Sequence, residues 1–442
     1  MDEECSHPIR IGNMCGCCGE DMENKNEELF TLLHNNTNVQ LNKTEAERVN
    51  EEMYDSTTKN KRLVLLLDLD QTVIHTSVSS RFGGYYRKMK ECVLLEERIG
   101  SRLEKDALRK IEAIKSVNEI KIDGYSYFVK KRDNLQRFLE EVSKYFEIHI
   151  YTMGNKAYAS AIVKILDETG KIFGNRIVTR DDNFGCFDKD IKRLFPTNSK
   201  HVVILDDRPD VWGFVDNLYP IRPYYFFQSE DINSPEALRS NSRREESERV
   251  EEIVEDGVED ILERVGEECI AAYFDNELEK VLNGLIDIHR EFFNKEQNTA
   301  NILRRKKNIF HGCVARIFTP MNEFTTYLAT LFVHYGGAIG GKFTATDVTH
   351  VIIGGIEKVR CKKLENIKYV HAEWMYESVF RLKKQKEEKF LVETYEADHV
   401  LDEKDAFEFT DHLEIDTGDQ MDELDELCSS DDSLYRQIVD DN

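Results

Sequence analysis

The 442-residue chain has no apolar run approaching the ~20 residues that cross a bilayer as a helix, so no membrane span is expected. It also lacks the basic-then-apolar start of a secretory signal, since Met1-Asp2-Glu3-Glu4 is polar and acidic. An intracellular protein is the expectation, and its ten cysteines should then be mostly reduced. Basic residues are outnumbered, 60 against 85 acidic ones, and no direct nucleic-acid partner is expected. The imbalance is uneven. From Val400 onward 16 acidic residues oppose Lys404 and Arg436, which places -14 of the net -25 in the last 43 residues. The remainder is only moderately acidic and long enough for roughly two to four domains.

What the chain does have is Leu63-Val64-Leu65-Leu66-Leu67, five consecutive apolar residues that read as a strand buried on both faces of a parallel sheet. Asp68 and Asp70 follow at its carboxyl end, where ligands of open parallel α/β sheets collect. Two carboxylates so spaced can serve as nucleophile and proton donor toward a phosphate neutralised by Mg2+. Taken alone, the pair reads equally well as a solvated acidic turn. Two further strands end similarly. Glu147–Tyr151 runs into Thr152-Met153-Gly154, a hydroxyl and a small-residue turn, and His201–Leu205 runs into Asp206-Asp207-Arg208. Lys189 lies between them. Aspartate pair, hydroxyl, lysine and second aspartate pair, in that order, resemble the parts of the haloacid-dehalogenase-type phosphotransferases.

Four cysteines fall within the first 18 residues. Cys5, His7, Cys15 and Cys18 have a spacing that can hold one zinc tetrahedrally, with Cys17 spare; the alternative is a flexible arm with reduced thiols. Residues 24–60 read as a polar tether containing a short amphipathic helix around Glu45–Met53. His75 reads as a packing residue. Residues 85–121 read as a charged surface insertion with a helical pattern from Leu103 to Ile114. Tyr125–Arg132 alternates as a strand, and Asp133 is placed to cap a helix over Asn134–Ser143. Arg132 at that junction suits either a forked phosphate contact or a surface ion pair with Glu140 or Glu141. Tyr158–Leu166 reads as a helix, Ile172–Thr179 as a strand and Pro220–Phe227 as the strand closing the sheet.

Together Leu67-Asp68-Leu69-Asp70-Gln71-Thr72-Val73-Ile74-His75-Thr76, Tyr151-Thr152-Met153-Gly154, Arg180-Asp181, Leu194-Phe195-Pro196 and Asp206-Asp207-Arg208 with Asp210-Val211-Trp212 closely resemble the FCP-type phosphatase family. That family associates with transcription factor IIF and dephosphorylates the C-terminal domain of RNA polymerase II. The resemblance implies a haloacid-dehalogenase-like α/β catalytic domain with a parallel sheet at 59–230, after an N-terminal arm at 1–58. It also implies a helical linker at 231–300, a small α/β BRCT domain at 301–394 and an acidic tail at 395–442. Within 231–300, Asp275–Lys295 shows an amphipathic helical pattern. In the BRCT-like region Ile309–Phe318 and Thr349–Ile353 read as strands and Phe324–Tyr335 as a helix. Trp374 reads as core, and Thr319 with Lys358 would be the phosphopeptide-binding pair of that domain type.

The resemblance further implies that Asp68 attacks phosphorus, Asp70 protonates the leaving oxygen and then activates water, and Thr152 and Lys189 neutralise the transferring oxygens. Mg2+ would be held by Asp68, Asp207 and the carbonyl of Asp70, with Asp206 orienting Lys189 or a metal-bound water. Thr72 would fix Asp70, and Arg132 and Arg208 would face the substrate; the family usually has proline where Asp133 stands. Partners would be the phosphorylated polymerase repeat and, through the acidic tail, transcription factor IIF, in the nucleus. The other readings are a phosphatase of the same superfamily acting on a different phosphoprotein or a small phosphoester, and a dead phosphoprotein-docking scaffold. The short insertion disfavours a cap enclosing a small substrate, and a scaffold has little reason to keep Asp68, Asp70, Lys189 and Asp207.

Overall fold

Five apolar residues with no polar alternation need cover on both sides, and Leu63–Leu67 finds it in the computed structural model as the middle strand of a five-stranded parallel sheet. Leu63, Leu65 and Leu67 enter one core cluster and Val64 and Leu66 another, so the two faces of the strand anchor two separate layers. Full burial of each such side chain stabilises the fold by roughly 1.5–3 kcal/mol. The structure describes residues 5–23, 29–31, 39–78, 82–84, 86–87, 112–182, 188–227, 275–319, 322–340, 348–354, 358–360 and 366–395. The acidic tail, most of the linker 231–300 and most of the insertion between Tyr85 and Lys121 lie outside them.

The chain divides into two compact units, one of Met1–Cys313, Tyr327–Ala338 and Glu373–Gln385, the other of Val314–Thr326, Ile339–Ala372 and Lys386–Asn442. The first unit opens with strands β1 (Ile9–Ile11), β2 (Met14–Cys15), β3 (Leu29–Thr31) and β4 (Val39–Asn42), an antiparallel sheet in the order β2-β1-β4-β3. Helix α1 (Lys43–Lys59) follows directly, the Asn42 side chain accepting the Glu45 N–H at 2.9 Å. The expected tether is therefore replaced over 39–59 by a strand and a capped helix of 17 residues. Helix formers such as Lys, Glu, Ala and Met dominate α1, and a polar average hid its one packed edge.

After β5 (Leu63–Leu67), strands β6 (Ile74–Ser77), β7 (Val117–Ile122) and β8 (Tyr125–Lys131) form an antiparallel sheet in the order β6-β8-β7. Helix α2 (Leu135–Val142), β9 (Phe146–Tyr151), α3 (Lys156–Leu166), β10 (Ile177–Val178), β11 (Val202–Asp206) and β12 (Leu218–Pro220) complete the parallel sheet, ordered β10-β9-β5-β11-β12. The closing strand is thus Leu218–Pro220 and not 220–227, because Pro220 and Pro223 have no N–H to continue a ladder. Asp133 does not cap α2. Asn134 stands at the cap in the left-handed region with no side-chain bond, and the Asp133 carboxylate instead accepts the N–H of Asp275 at 3.0 Å.

Helix α4 (Glu277–Asn294) buries Leu278, Val281, Leu285, Ile288 and Phe292 in the same core as β5 and α2, which answers where its apolar stripe goes. Gly284 sits where any Cβ would meet the Tyr219 hydroxyl at 2.3 Å, so α4 lies this close to β12 only because that position is glycine. Helix α5 (Thr299–Lys307) joins the same core through Ile302 and Leu303.

In the remaining part of the chain β13 (Val314–Phe318), β14 (Ala338–Ile339), β15 (His350–Ile353) and β17 (Lys368–His371) form a sheet ordered β14-β13-β15-β17, with β13, β15 and β17 parallel. β16 (Lys358–Arg360) pairs with β18 (Glu393–Tyr395). Helices α6 (Asn322–His334) and α7 (Ala372–Phe380) complete the elements. Residues 309–313, read as part of the first strand, are a turn with Gly312 at φ +77°. Trp374 is fully buried, its indole N–H on the Gln385 carbonyl at 2.9 Å, which makes it core. Thr319 shares a hydrogen bond of 2.7 Å with Thr325, and the Lys358 side chain lies outside the described residues.

Candidate active site

Parallel pairing in register brings three strand ends to one edge. Leu67 pairs with Ile150 on one side and Leu205 on the other, so Asp68, Tyr151-Thr152 and Asp206-Asp207 emerge together. Carboxylate oxygens of Asp68, Asp206 and Asp207, all buried, lie within 4.8 Å of one another. The Lys189 ammonium donates to Asp68 Oδ1 and to Asp206 Oδ2, both at 2.6 Å. Its backbone N–H bonds the Val211 carbonyl at 2.8 Å, and its Nζ lies 5.6 Å from the Trp212 ring centre and 5.9 Å from that of Tyr151. The Trp212 indole N–H donates to Asp206 Oδ2 at 2.8 Å, and the Arg208 N–H donates to Oδ1 at 2.8 Å. Both oxygens of Asp206 are therefore engaged.

Three carboxylates with one ammonium leave about two negative charges uncompensated in a buried place, which is costly. Burial pushes the Asp68 carboxyl up to about 7, against the pull of Lys189 and with the repulsion of Asp206. Burial, Asp206 and Asp68 likewise raise Asp207 well above the ordinary range. Lys189 is buried too, but the two carboxylates more than offset desolvation and hold it firmly protonated. Among the described residues Asp207 Oδ2 is buried without a hydrogen-bond partner. An all-oxygen cluster with an unpartnered carboxylate oxygen and a deficit of about two positive charges fits a hard divalent cation such as Mg2+.

The second aspartate of the motif is held differently. Asp70 Oδ1 accepts from the Tyr158 hydroxyl at 2.5 Å, and that hydroxyl also meets Thr76 Oγ1 at 2.7 Å. Gly154 makes room for this, because a Cβ there would lie 2.4 Å from Tyr158 Cδ1. Thr72, expected to fix Asp70, instead donates to Asp207 Oδ1 at 3.0 Å and accepts the Asp207 N–H at 3.2 Å. The left-handed residue Gln71, φ +58°, turns the chain so that Thr72 points to the β11 end. Thr152 is buried and accepts the Gly154 N–H at 3.0 Å, which leaves its own proton to donate. Arg180 bonds the Gly154 carbonyl through its N–H, and Asp181 accepts the Lys156 N–H at 2.7 Å, fixing the start of α3 beside the same turn.

Arg132 has only 2 % of its surface exposed, and neither Glu140 nor Glu141 is its partner. Its Nε pairs with Asp275 at 2.7 Å, its Nη1 donates to the Thr72 carbonyl at 2.8 Å, and its guanidinium lies 5.2 Å from the Tyr224 ring centre. Tyr224 N–H in turn bonds the Gln71 carbonyl at 2.6 Å. The arginine thus ties the Gln71-Thr72 turn to the segment entering α4. Arg208, by contrast, is half exposed and forks onto Asp210. His75 is a packing residue, its Nδ1 accepting the N–H groups of Phe226 and Phe227 at 2.8 and 3.0 Å. Tyr158, Trp212, Tyr224 and Asp275 were not among the sequence-derived site residues; the signals available were the place of Trp212 in the Asp210-Val211-Trp212 motif and a hydroxyl on the apolar face of α3.

Residues 63–241 match the NLI interacting factor-like phosphatase family. Over 425 residues the chain is 32 % identical to an RNA polymerase II C-terminal domain phosphatase of Encephalitozoon cuniculi (strain GB-M1), spanning 88 % of this chain and 95 % of that one. The chain belongs to this phosphatase family. The fission yeast family member of the same name is 34 % identical over 245 residues, 53 % of this chain and 32 % of its own length. Among solved structures, the fission yeast RNA polymerase II CTD phosphatase bound to beryllium fluoride superposes with a TM-score of 0.60 at 27 % identity, covering 78 % of this chain and all of that one. An enzyme of the phosphatase class with a mixed α/β catalytic fold is thereby established, and Mg2+ is the metal typical of the family.

Proposed function

We propose that the chain is a Mg2+-dependent protein serine/threonine phosphatase that acts on the phosphorylated C-terminal repeat of the largest RNA polymerase II subunit through an aspartyl-phosphate on Asp68. The observation that carries this is the buried cluster of Asp68, Asp206 and Asp207 with Lys189 bridging two of them. Asp68, Asp207 and the backbone carbonyl of Asp70 would hold the cation, which when bound neutralises the carboxylates and the phosphate they approach. Asp206, with both oxygens engaged, is assigned to holding Lys189.

An Asp68 oxygen attacks phosphorus and the bond to the serine oxygen breaks; Asp70 gives that oxygen its proton. In the second half Asp70 takes a proton from water, whose oxygen attacks phosphorus and releases Asp68. Asp70 is half-buried, and Tyr158 donates to its Oδ1 and so orients the carboxyl. Lys189 and Thr152 offer donors to the transferring oxygens, while Arg208 is the exposed cation for the flanking peptide. Arg132 is assigned to positioning the Thr72 turn and not to the phosphate.

We take 59–230 as the catalytic module, 301–394 as BRCT-like and the region after 395 as an acidic tail that docks on transcription factor IIF, with action in the nucleus. Cys5, His7, Cys15 and Cys18 are assigned to zinc. The test is hydrolysis of phosphoserine repeat peptides by the full chain with and without Mg2+. Metal-dependent release of phosphate from the repeat peptide supports the reading, and rates no better than on unrelated phosphopeptides contradict the substrate.

A further inference from the structure

The metal-type cluster at the N-terminus is built unlike the active site. Cys5, His7, Cys15 and Cys18 place one ligand atom each within 4.8 Å of one another. Cys5 and Cys15 Sγ are 3.9 Å apart, and Cys18 Sγ is 3.4 Å from His7 Nδ1. A tetrahedral zinc with Zn–S of about 2.3 Å and Zn–N of about 2.0 Å has S···S edges of about 3.8 Å and S···N edges of about 3.5 Å. A disulfide needs about 2.05 Å, so the Cys5–Cys15 separation is that of two ligands and not of a bond. His7 Nε2 lies 3.2 Å from Glu20 Oε2, the outer carboxylate that fixes a ligating imidazole with its other nitrogen toward the metal. The Cys17 N–H points at Cys15 Sγ at 3.4 Å.

Four protein ligands leave no open position, which makes such a site structural. What it would brace is visible in Asn42. Its Oδ1 caps α1 through the Glu45 N–H, while its Nδ2 donates to the carbonyls of Ser6 and His7 at 3.1 and 3.4 Å, and its N–H bonds the Pro8 carbonyl at 3.1 Å. The backbone that presents His7 and the N-cap of α1 are thus one hydrogen-bonded unit. Farther along α1, Asn50 donates to Thr197 at 2.9 Å, Tyr54 sits edge-on to His201, and Met53 packs on the cluster of Val64 and Leu66.

We infer that zinc in this site clamps the N-cap of α1 through Asn42, and so holds the helix against the catalytic core while taking no part in turnover. The inference rests on the assignment of zinc to the four ligands. The test is zinc content together with hydrogen exchange on the full chain, before and after stripping zinc with a soft-metal chelator in excess Mg2+. One zinc per chain is expected, and stripping should speed exchange in residues 6–11 and in the first turn of α1 by at least ~10-fold, the signature of local opening. Co2+ loading should give the intense visible bands of a tetrahedral thiolate site. Asn42→Ala should keep zinc yet lose the protection of α1, and Cys17→Ser should change neither. Zinc present with α1 exchange unchanged by its removal overturns the clamp and leaves the zinc site standing. Absence of zinc and of cobalt bands in the purified chain overturns both.

Discussion

The buried carboxylate cluster and the N-terminal cysteine-histidine cluster are both candidate metal sites, and they differ in every physical respect that matters. The first is made of hard oxygens at the ends of fully buried strands, carries its own ammonium and keeps an unpartnered oxygen. The second is made of soft sulfur and imidazole on loops and turns around the two-residue strand that carries Cys15, with Cys5 and His7 half-buried and Cys18 exposed. A site that must admit a phosphate cannot close its coordination, whereas a site that only braces the chain gains from closing it. The comparison teaches that a metal's role is set by what the protein leaves open around it.

Removing divalent ions with EDTA breaks the comparison most sharply. Turnover of an aryl phosphate should fall by on the order of 10³-fold or more and return with Mg2+ alone, because only the carboxylate site serves the chemistry. Ca2+ should restore little, its longer and looser coordination fitting the three oxygens poorly. Asp70→Asn should next cost a phosphoserine peptide ~100-fold more than an aryl phosphate, since aryl oxide leaves without a proton. Equal losses would mean that Asp70 acts only through its carbonyl. Arg132→Met should lower kcat and the melting temperature while KM for aryl phosphate stays within ~3-fold, because it breaks a buried pair with Asp275 and a tie to Thr72. A large rise in KM with kcat unchanged would return Arg132 to the phosphate.

The smallest effect is on stability against pH. Burial lowers His75 and His201 to about 4 from the ordinary 6.5. Both stay neutral in the folded chain while the unfolded chain takes up protons, so stability is full above pH 6.5 and falls as pH drops toward 4, by a few kcal/mol at most for each. Denaturant midpoints across that window should fall less steeply for His75→Gln, and an unchanged slope would contradict the assignment.

The clustering of Asp68, Lys189, Asp206 and Asp207 in the candidate site was legible because strand ends are. Apolar runs at Leu63–Leu67 and His201–Leu205 announce buried parallel strands, and the polar residue after each has nowhere to go but the sheet edge. Partners separated by long stretches of chain were not legible. Tyr158 reaches Asp70 across 88 residues and Arg132 reaches Asp275 across 143, and no local pattern announces such bonds. The clustering of Cys5, His7, Cys15 and Cys18 was readable from their spacing, and the middle of α1 from the pattern at Glu45–Met53, but the strands of the same segment and the full length of α1 were hidden behind a polar composition.

The central claim is a covalent phosphate on Asp68. Reaction with a phosphopeptide and Mg2+, followed by acid quench, borohydride reduction and peptide mass spectrometry, should convert Asp68 to homoserine in the peptide spanning β5, and Asp68→Asn should abolish both the conversion and turnover. Turnover retained by Asp68→Asn, or reduction found at Asp70, Asp206 or Asp207 instead, would contradict it.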